Sequence, residues 1–514
     1  MKVPPEYEPT FIISADLRSS ARPGGRSRTA ARTYPLVFLR GALLVAASCS
    51  PLLHGQTNAI VPGAQVAPPS TSYLSAEPSA AAITPEALRK QYALGNWAGL
   101  RTQLGRHGIV PTALLITDPF GNIHGGTQTG ASSYSLFGVD IRLNTEALLG
   151  LKGGQFDIGG AVNFGTSLSR SYIGNTFPVQ LSDVAGAQPR LTYLSYTQAL
   201  LQNRLSFRVG RTTLNSVFGE EFAGSEAFKK FVSVGFDLVP QGLFLNVPGA
   251  AGYPRTTWGT RLKYSATRHL YVQGAAYNAD AKQLAGDRHG VDFSLHGPVF
   301  AIGEAGLRHF RHPNDTTPSR NIKVGGFYSG GTHYSVKNGS LVPVKGLSGF
   351  YALADQNLFR LSAPLDTPRG SEELSRWGEA ELERRVVAFA SVVVVPEART
   401  NIVPYFFNVG LVSYGLSPSR PRDLFGAGFA YGSHSRGHSV GMSAASEPSA
   451  PRTPANEGTL EITYGFALRP GVLLQPDLQY ILHPTGVPSR LRGPASNVAT
   501  PNATAIGMNV VVNF

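Results

Sequence analysis

The sequence predicts an all-β fold: a transmembrane antiparallel β-barrel of about 16 strands, preceded by short N-terminal helices. Three observations carry this. First, from Ile109 to the end the chain reads as runs of about 8 to 12 residues with period two, separated by turn residues. Strands of that length exceed the usual ~5–6 residues and match the ~9–11 needed to cross a bilayer at a tilt. Second, the polar face of these runs is strongly polar. In EITYGFALRPGVLLQPDLQYILHP (461–484), Leu460, Ile462, Tyr464, Phe466 and Leu468 form one row, with Glu461, Thr463, Gly465 and Ala467 between them. Beyond a turn at Pro470-Gly471, Leu474, Leu478 and Tyr480 face away from Gln475, Asp477 and Gln479. Acids and amides in such density do not suit a dry core; they suit a water-filled lumen, which leaves the apolar rows facing lipid. Third, Ile506, Met508, Val510, Val512 and Phe514 make an uninterrupted apolar row that finishes on the terminal Phe. Strands in a membrane tolerate no open edge, so they must close into a barrel.

Taken in order, residues 1–56 read as a leader. LVFLRGALLVAASCSPLLHGQ has a basic flank, a short apolar core and small residues after it, the pattern of a secretory signal. Residues 57–83 are Ala, Pro and Ser with little else and read as a flexible tether. Residues 84–108 are expected to be helical and to cap the sheet domain. Thr84-Pro85-Glu86 supplies a cap, a first-turn proline and an acid. NWAGLRTQLGRHG follows, with Trp97, Leu100 and Leu104 on one face and Gly108 as the stop. Residues 109–514 form the barrel. Its alternating runs include FGVDIRLNTEALL, QFDIGGAVNFGTSL, RLTYLSYTQALL, RLSFRVGRTTL, GTRLKYSATRHLYVQGAAYNAD, NIKVGGFYSGG, GFYALADQNLFRL, RVVAFASVVVV, VPYFFNVGLVSYG, LFGAGFAYGS and AIGMNVVVNF. About 14 to 18 such segments place the barrel in the porin range, wide enough for an aqueous channel.

Composition narrows the classes. Hydrophobic residues are 42 % and aromatics 10 % of the 514, against disorder. No run of about 18 uncharged apolar residues exists, against helical membrane spans. The single cysteine, Cys49, lies in the leader, so the mature chain is expected to have neither a disulfide framework nor a thiolate metal site. Net charge is +13. Residues 1–56 hold +4 of it (Lys2, Arg18, Arg22, Arg26, Arg28, Arg32 and Arg40 against Glu6, Glu8 and Asp16), leaving +9 scattered without a dense cluster, a poor fit to nucleic-acid binding. The close histidine pairs, His309/His312 and His434/His438, lie at expected turns without cysteine support, and no metal or cofactor is expected. No phosphate-cradling loop or G-x-S-x-G elbow marks an enzyme.

From about Leu94 to Phe514 the chain resembles the carbohydrate-selective porins of Gram-negative outer membranes, the OprB type. The resemblance is carried, in order, by LGNWAGLRTQLGRHGI, DPFGNIHGG, NRLSFRVGR, YPRTTWGTRLKY with HLYVQGAAYNAD, AIGEAGLRH, GFYALADQNLFR, VGLVSYGLSPSRPRDLFGAGFAYG and TLEITYGFALRPGVLLQPDLQYILHP. It implies an outer-membrane barrel of about 16 strands that passes monosaccharides by diffusion, without nucleotide or metal. One departure concerns the wall: acids of the family strand matching LTYLSYTQAL stand here as Tyr193 and Thr197.

A sugar in a narrow pore exchanges hydrogen bonds with water for hydrogen bonds with the wall, so the wall needs carboxylate and amide acceptors, Arg donors and weak, repeated sites. By phase, Glu461, Gln475, Asp477 and Gln479 share one face of neighbouring strands, and Arg208 lies opposite Leu205, Phe207 and Val209. These five are the expected channel-lining residues. The long segment Leu214–Trp258 either folds inward and narrows the lumen or forms a surface loop. Expected partners are small carbohydrates, outer-membrane lipid and the barrel-assembly machinery, which would read Phe514; the state is monomer or homotrimer. Three alternatives stay open: a porin of this build preferring anions, a barrel lipase, and a plugged structural or adhesive barrel.

Overall fold

The computed structural model describes residues 92–181, 188–214, 230–236, 241–247, 249–280, 286–312, 315, 318–337, 340–361, 384–396, 401, 403–434, 456–485 and 500–514. The expected leader, the tether and the helix start at Thr84 lie outside these residues.

Sixteen antiparallel strands form one closed ring. They are β1 (Ile109–His124), β2 (Gly130–Asn144), β3 (Gly154–Gly165), β4 (Arg190–Leu200), β5 (Leu205–Thr212), β6 (Thr257–Ser265), β7 (Leu270–Asn278) and β8 (Val299–His309). There follow β9 (Arg320–Lys337), β10 (Ser340–Arg360), β11 (Arg385–Val394), β12 (Tyr405–Tyr414), β13 (Leu424–Ser433), β14 (Asn456–Arg469), β15 (Val472–Leu482) and β16 (Ala503–Asn513). Each strand pairs with its sequence neighbours, and β1 closes the ring on β16 through Leu114↔Asn513, Thr117↔Val510 and Phe120↔Gly507. Closure pairs every strand on both sides, which is what a bilayer demands of a backbone.

The alternation read from the sequence is the alternation of the wall. On β14, Leu460 and Ile462 are 45 % and 55 % exposed, while Glu461 and Thr463 between them are 1 % exposed each. On β2, Phe137, Val139 and Ile141 point out, and Leu136 and Asp140 point in. Outward side chains form the apolar belt; inward ones pack against chain that enters the barrel.

Three links at one end are short: Leu201–Arg204, Ala266–His269 and Pro470–Gly471. Gly471 takes φ +69°, which the tight β14–β15 turn requires. FGVDIRLNTEALL divides: β2 ends at Asn144, whose side chain caps α2 (Thr145–Leu149) by accepting from Glu146 N and Ala147 N at 2.9 and 3.0 Å. At this end the chain enters through a 3-10 turn (Trp97–Gly99) and α1 (Leu100–Arg106). Helix α1 does not bury the face that the sequence suggests. Leu100 is exposed, while Arg101, Thr102 and Gly105 are buried. Arg101 is held there by Phe514: its Nη2 donates to Phe514 O at 2.6 Å, with the guanidinium 3.5 Å from the Tyr92 ring and 4.2 Å from the Trp97 ring.

The opposite end carries most of the long links, and two of them fold inward. One follows β3 (166–181); the other follows β5 (described at 213–214, 230–236, 241–247 and 249–256) and includes α3 (Gln241–Asn246). The lumen is therefore divided. Inward side chains of β7–β13, among them Tyr277, Phe300, Phe327, Tyr351, Phe389 and Phe406, form one apolar cluster with Phe177, Phe231, Phe236, Leu243 and Val247 of the inward segments. The inward face of β4–β6 is instead cationic: Arg190, Arg208, Arg261 and Lys263, with no acid anywhere on those three strands.

Candidate functional site

The two inward segments meet on the inner wall of β14 and β15, and the sequence there explains how. A segment crossing a lumen leaves peptide N–H and C=O groups that need partners away from water. Strand β14 supplies acceptors. Glu461 Oε1 accepts from Val232 N at 2.6 Å and Oε2 from Ser233 N at 2.9 Å. Four residues earlier on the same face, Glu457 accepts from Thr176 N and Phe177 N, each at 2.9 Å, and from Thr485 N and Thr485 Oγ1 at 2.8 Å. Strand β15 supplies donors. Gln475 Nε2 donates to Lys230 O and Gln479 Nε2 to Val179 O, both at 2.9 Å. Gln479 Nε2 also donates to Asp477 Oδ1 at 2.8 Å. The segments touch each other through Val234 N to Pro178 O, 2.9 Å. Bonds to a carboxylate are about twice as strong as neutral ones, so β14 holds the stronger grip.

Apolar seats complete the docking. The inward face of β13 reads Leu424, Gly426, Gly428, Ala430, Gly432. A Cβ on Gly428 would stand 2.7 Å from Phe236 Cε1, one on Gly432 2.5 Å from Phe177 Cζ, and one on Gly426 3.1 Å from Phe231 Cζ. Three glycines thus seat three phenylalanines. Phe231 and Phe236 stack at 4.5 Å, and Phe389 from β11 meets Phe231 edge-on at 5.5 Å. Helix α3 is fixed at the far edge, where Asn246 Nδ2 donates to Val403 O at 2.6 Å and Val403 N donates back to Asn246 Oδ1 at 2.8 Å.

Across the ring, Arg208 on β5 donates from Nε to Thr197 Oγ1 at 2.8 Å and pairs with Asp157 at 3.3 Å. Asp157 also lies 3.6 Å from Arg142 and accepts from Gln155 Nε2 at 2.8 Å. Arg208 stands directly opposite Arg261 on β6, a like-charge pair that the Asp157 carboxylate offsets from the other side. Arg211 pairs with Asp287 at 2.9 Å. On β8, Glu304 accepts from Tyr271 Oη at 2.9 Å, Gln273 Nε2 at 2.8 Å and Tyr351 Oη at 3.0 Å.

All five sequence-derived wall residues face inward and are buried. Glu461, Gln475, Asp477 and Gln479 come together on β14–β15, and Arg208 stands apart on β5. Three of the four on β14–β15 bond to backbone of an inward segment. Of the segment Leu214–Trp258, the described part folds inward; residues 215–229, 237–240 and 248 lie outside the described residues. Sequence reasoning missed Glu457, although its spacing of four from Glu461 puts it on the same strand face. It also missed Tyr253 of the inward segment, whose ring stacks at 5.9 Å on Tyr193 of β4.

The sequence matches the profile of the carbohydrate-selective porin, OprB family, over residues 128–514. Porin B of Pseudomonas aeruginosa is 26 % identical over 443 residues, covering 80 % of this chain and 90 % of that protein. The high-pH structure of Pseudomonas putida OprB superposes with a TM-score of 0.69 at 22 % identity, covering 83 % of this chain and 99 % of that one.

Proposed function

Because the chain belongs to the OprB family of carbohydrate-selective porins, a sugar-selective outer-membrane channel, we propose that it passes monosaccharides and similar small carbohydrates by passive diffusion. The observation that carries this reading is the docking of two inward segments on the inner wall of β14–β15; in this reading they narrow the lumen to a passage that a small polar solute crosses by exchanging hydrogen bonds. In this reading Arg208, with Asp157 and Thr197, offers donors and acceptors on the cationic wall. Glu461, Gln475, Asp477 and Gln479 form the facing wall and shape the passage by holding the segments. Export by the leader, and insertion by machinery that reads Phe514, belong to the same proposal.

A second reading, a porin of this fold that prefers small anions, is favoured by one observation. The inward charges of β4–β6 are all positive, whereas Glu457 and Glu461 on the far side are engaged by peptide N–H groups. Swelling of proteoliposomes across a graded series of sugars tests the first reading. Rates that fall steeply from monosaccharide to trisaccharide support it, and equal exclusion of all sugars refutes it. Reversal potentials in planar bilayers, with and without glucose, decide between the two: chloride selectivity that glucose leaves untouched favours the anion channel.

A further inference from the structure

We propose that β14 is the strand that sets the channel's selectivity, with Glu457 and Glu461 as its positioning residues. The inference deepens the channel reading above and rests on it. Neither carboxylate is committed to an ion pair in the described wall; each is committed to the backbone of an inward segment. Glu461 takes two successive peptide N–H groups, Val232 and Ser233, one on each oxygen. Glu457 takes another successive pair, Thr176 and Phe177, and adds the N–H and hydroxyl of Thr485 from the link after β15. One strand therefore grips both segments and the Thr485 link at two points about 13 Å apart along its length. Both carboxylates are almost wholly buried, 0 % and 1 % exposed, so each interaction is made without competition from water.

The arrangement makes the passage a consequence of two side chains. The segments share one described backbone hydrogen bond with each other, Val234 N to Pro178 O. They also pack together through Val232, which shares a buried cluster with Leu168, Ile173 and Val179, and what each holds on the wall fixes that packed pair in the lumen. The amides of β15 fix the neighbouring carbonyls of Lys230 and Val179, so N–H and C=O are held from adjacent strands and the segment cannot slide without breaking both. Glutamate suits this role where glutamine does not. A carboxylate accepts on both oxygens, whereas an amide turns one acceptor into a donor that confronts a peptide N–H.

The test uses the full chain reconstituted in bilayers, with Glu457→Gln, Glu461→Gln and the double variant. Each charge-assisted bond lost shifts the ratio of docked to displaced segment by on the order of tenfold. Single-channel conductance should therefore rise in each single variant, and the monosaccharide-to-disaccharide ratio of swelling rates should fall by about twofold or more, furthest in the double variant. Ser233→Pro removes one of the same N–H donors from the segment side and leaves every strand unaltered, so it reports even where a β14 variant fails to fold. It should reproduce the Glu461→Gln phenotype. Folding is read separately, from the heat-dependent gel mobility of the barrel. Folded Glu461→Gln and Ser233→Pro channels with wild-type conductance and wild-type discrimination overturn the proposal. If the wild type itself passes no sugar, the channel reading fails, while the conductance comparison still decides whether β14 positions the segments.

Discussion

Phe236→Ala separates the barrel from what it contains. The ring is 1 % exposed, stacks on Phe231 at 4.5 Å, meets Phe389 edge-on at 6.4 Å and rests above Gly428. Truncating a buried phenylalanine costs about 3–5 kcal/mol. Here the ring belongs to a segment docked on a wall rather than to the wall itself, and water can fill the space, so the low end applies. About 3 kcal/mol corresponds to a roughly 150-fold shift toward the displaced segment. The strands lose nothing but a neighbour. Gly428→Ala applies the opposite perturbation at the same seat: its Cβ would stand 2.7 Å from Phe236 Cε1, an overpacking worth about 1–3 kcal/mol. Single-channel recording in planar bilayers is the assay. Both variants are expected to show higher mean conductance and a broader distribution of levels, with heat-dependent gel mobility unchanged. If both keep the wild-type distribution while the barrel's thermal transition falls, the ring stabilises the barrel and does not set the passage, and the reasoning fails.

Arg101→Gln should lower the barrel's thermal transition and leave conductance alone. It gives up a part-buried charge-assisted hydrogen bond to Phe514 O and two ring contacts, together about 2–4 kcal/mol, at the end away from the inward segments. Asp157→Asn leaves Arg208 and Arg142 without their shared carboxylate. It should move the reversal potential in a salt gradient toward that of chloride, and an unchanged potential would show that this wall lies outside the ion path.

The wall was legible in the sequence because lipid imposes a strict rule: every second residue of β14 or β16 must be apolar, and a row ending at Phe514 can be read without knowing its partners. The interior obeys a looser rule. A polar inward residue satisfies the pattern whether it faces water, an ion or a crossing peptide, so phase placed Glu461 and Gln479 on the right face but said nothing of Val232 or Val179. Strand β1 was obscured by Pro111 and Pro119, which its ladders nonetheless accommodate. The hairpin β9–β10 is longer than its two readable cores, NIKVGGFYSGG and GFYALADQNLFRL, because pairing continues through residues whose apolar alternation is weak. The contact that holds α1 was out of reach of the sequence for a different reason: Arg101 is tied to the backbone of Phe514, more than 400 residues away. The small inward face of β13 was visible as a glycine pattern, and its meaning depended on three phenylalanines contributed by two distant links.

The central claim is that the apolar rows meet lipid while their neighbours turn inward, and alternate-site labelling along β14 tests it most directly. In a Cys49→Ser background, which holds no other cysteine, single cysteines at Leu460 and Ile462 are compared with cysteines at Thr459 and Thr463, each carrying an environment-sensitive probe in reconstituted bilayers. Quenchers dissolved in the acyl chains should reach the probes at 460 and 462 and miss those at 459 and 463. Equal quenching at all four sites, or the reverse order, contradicts the account.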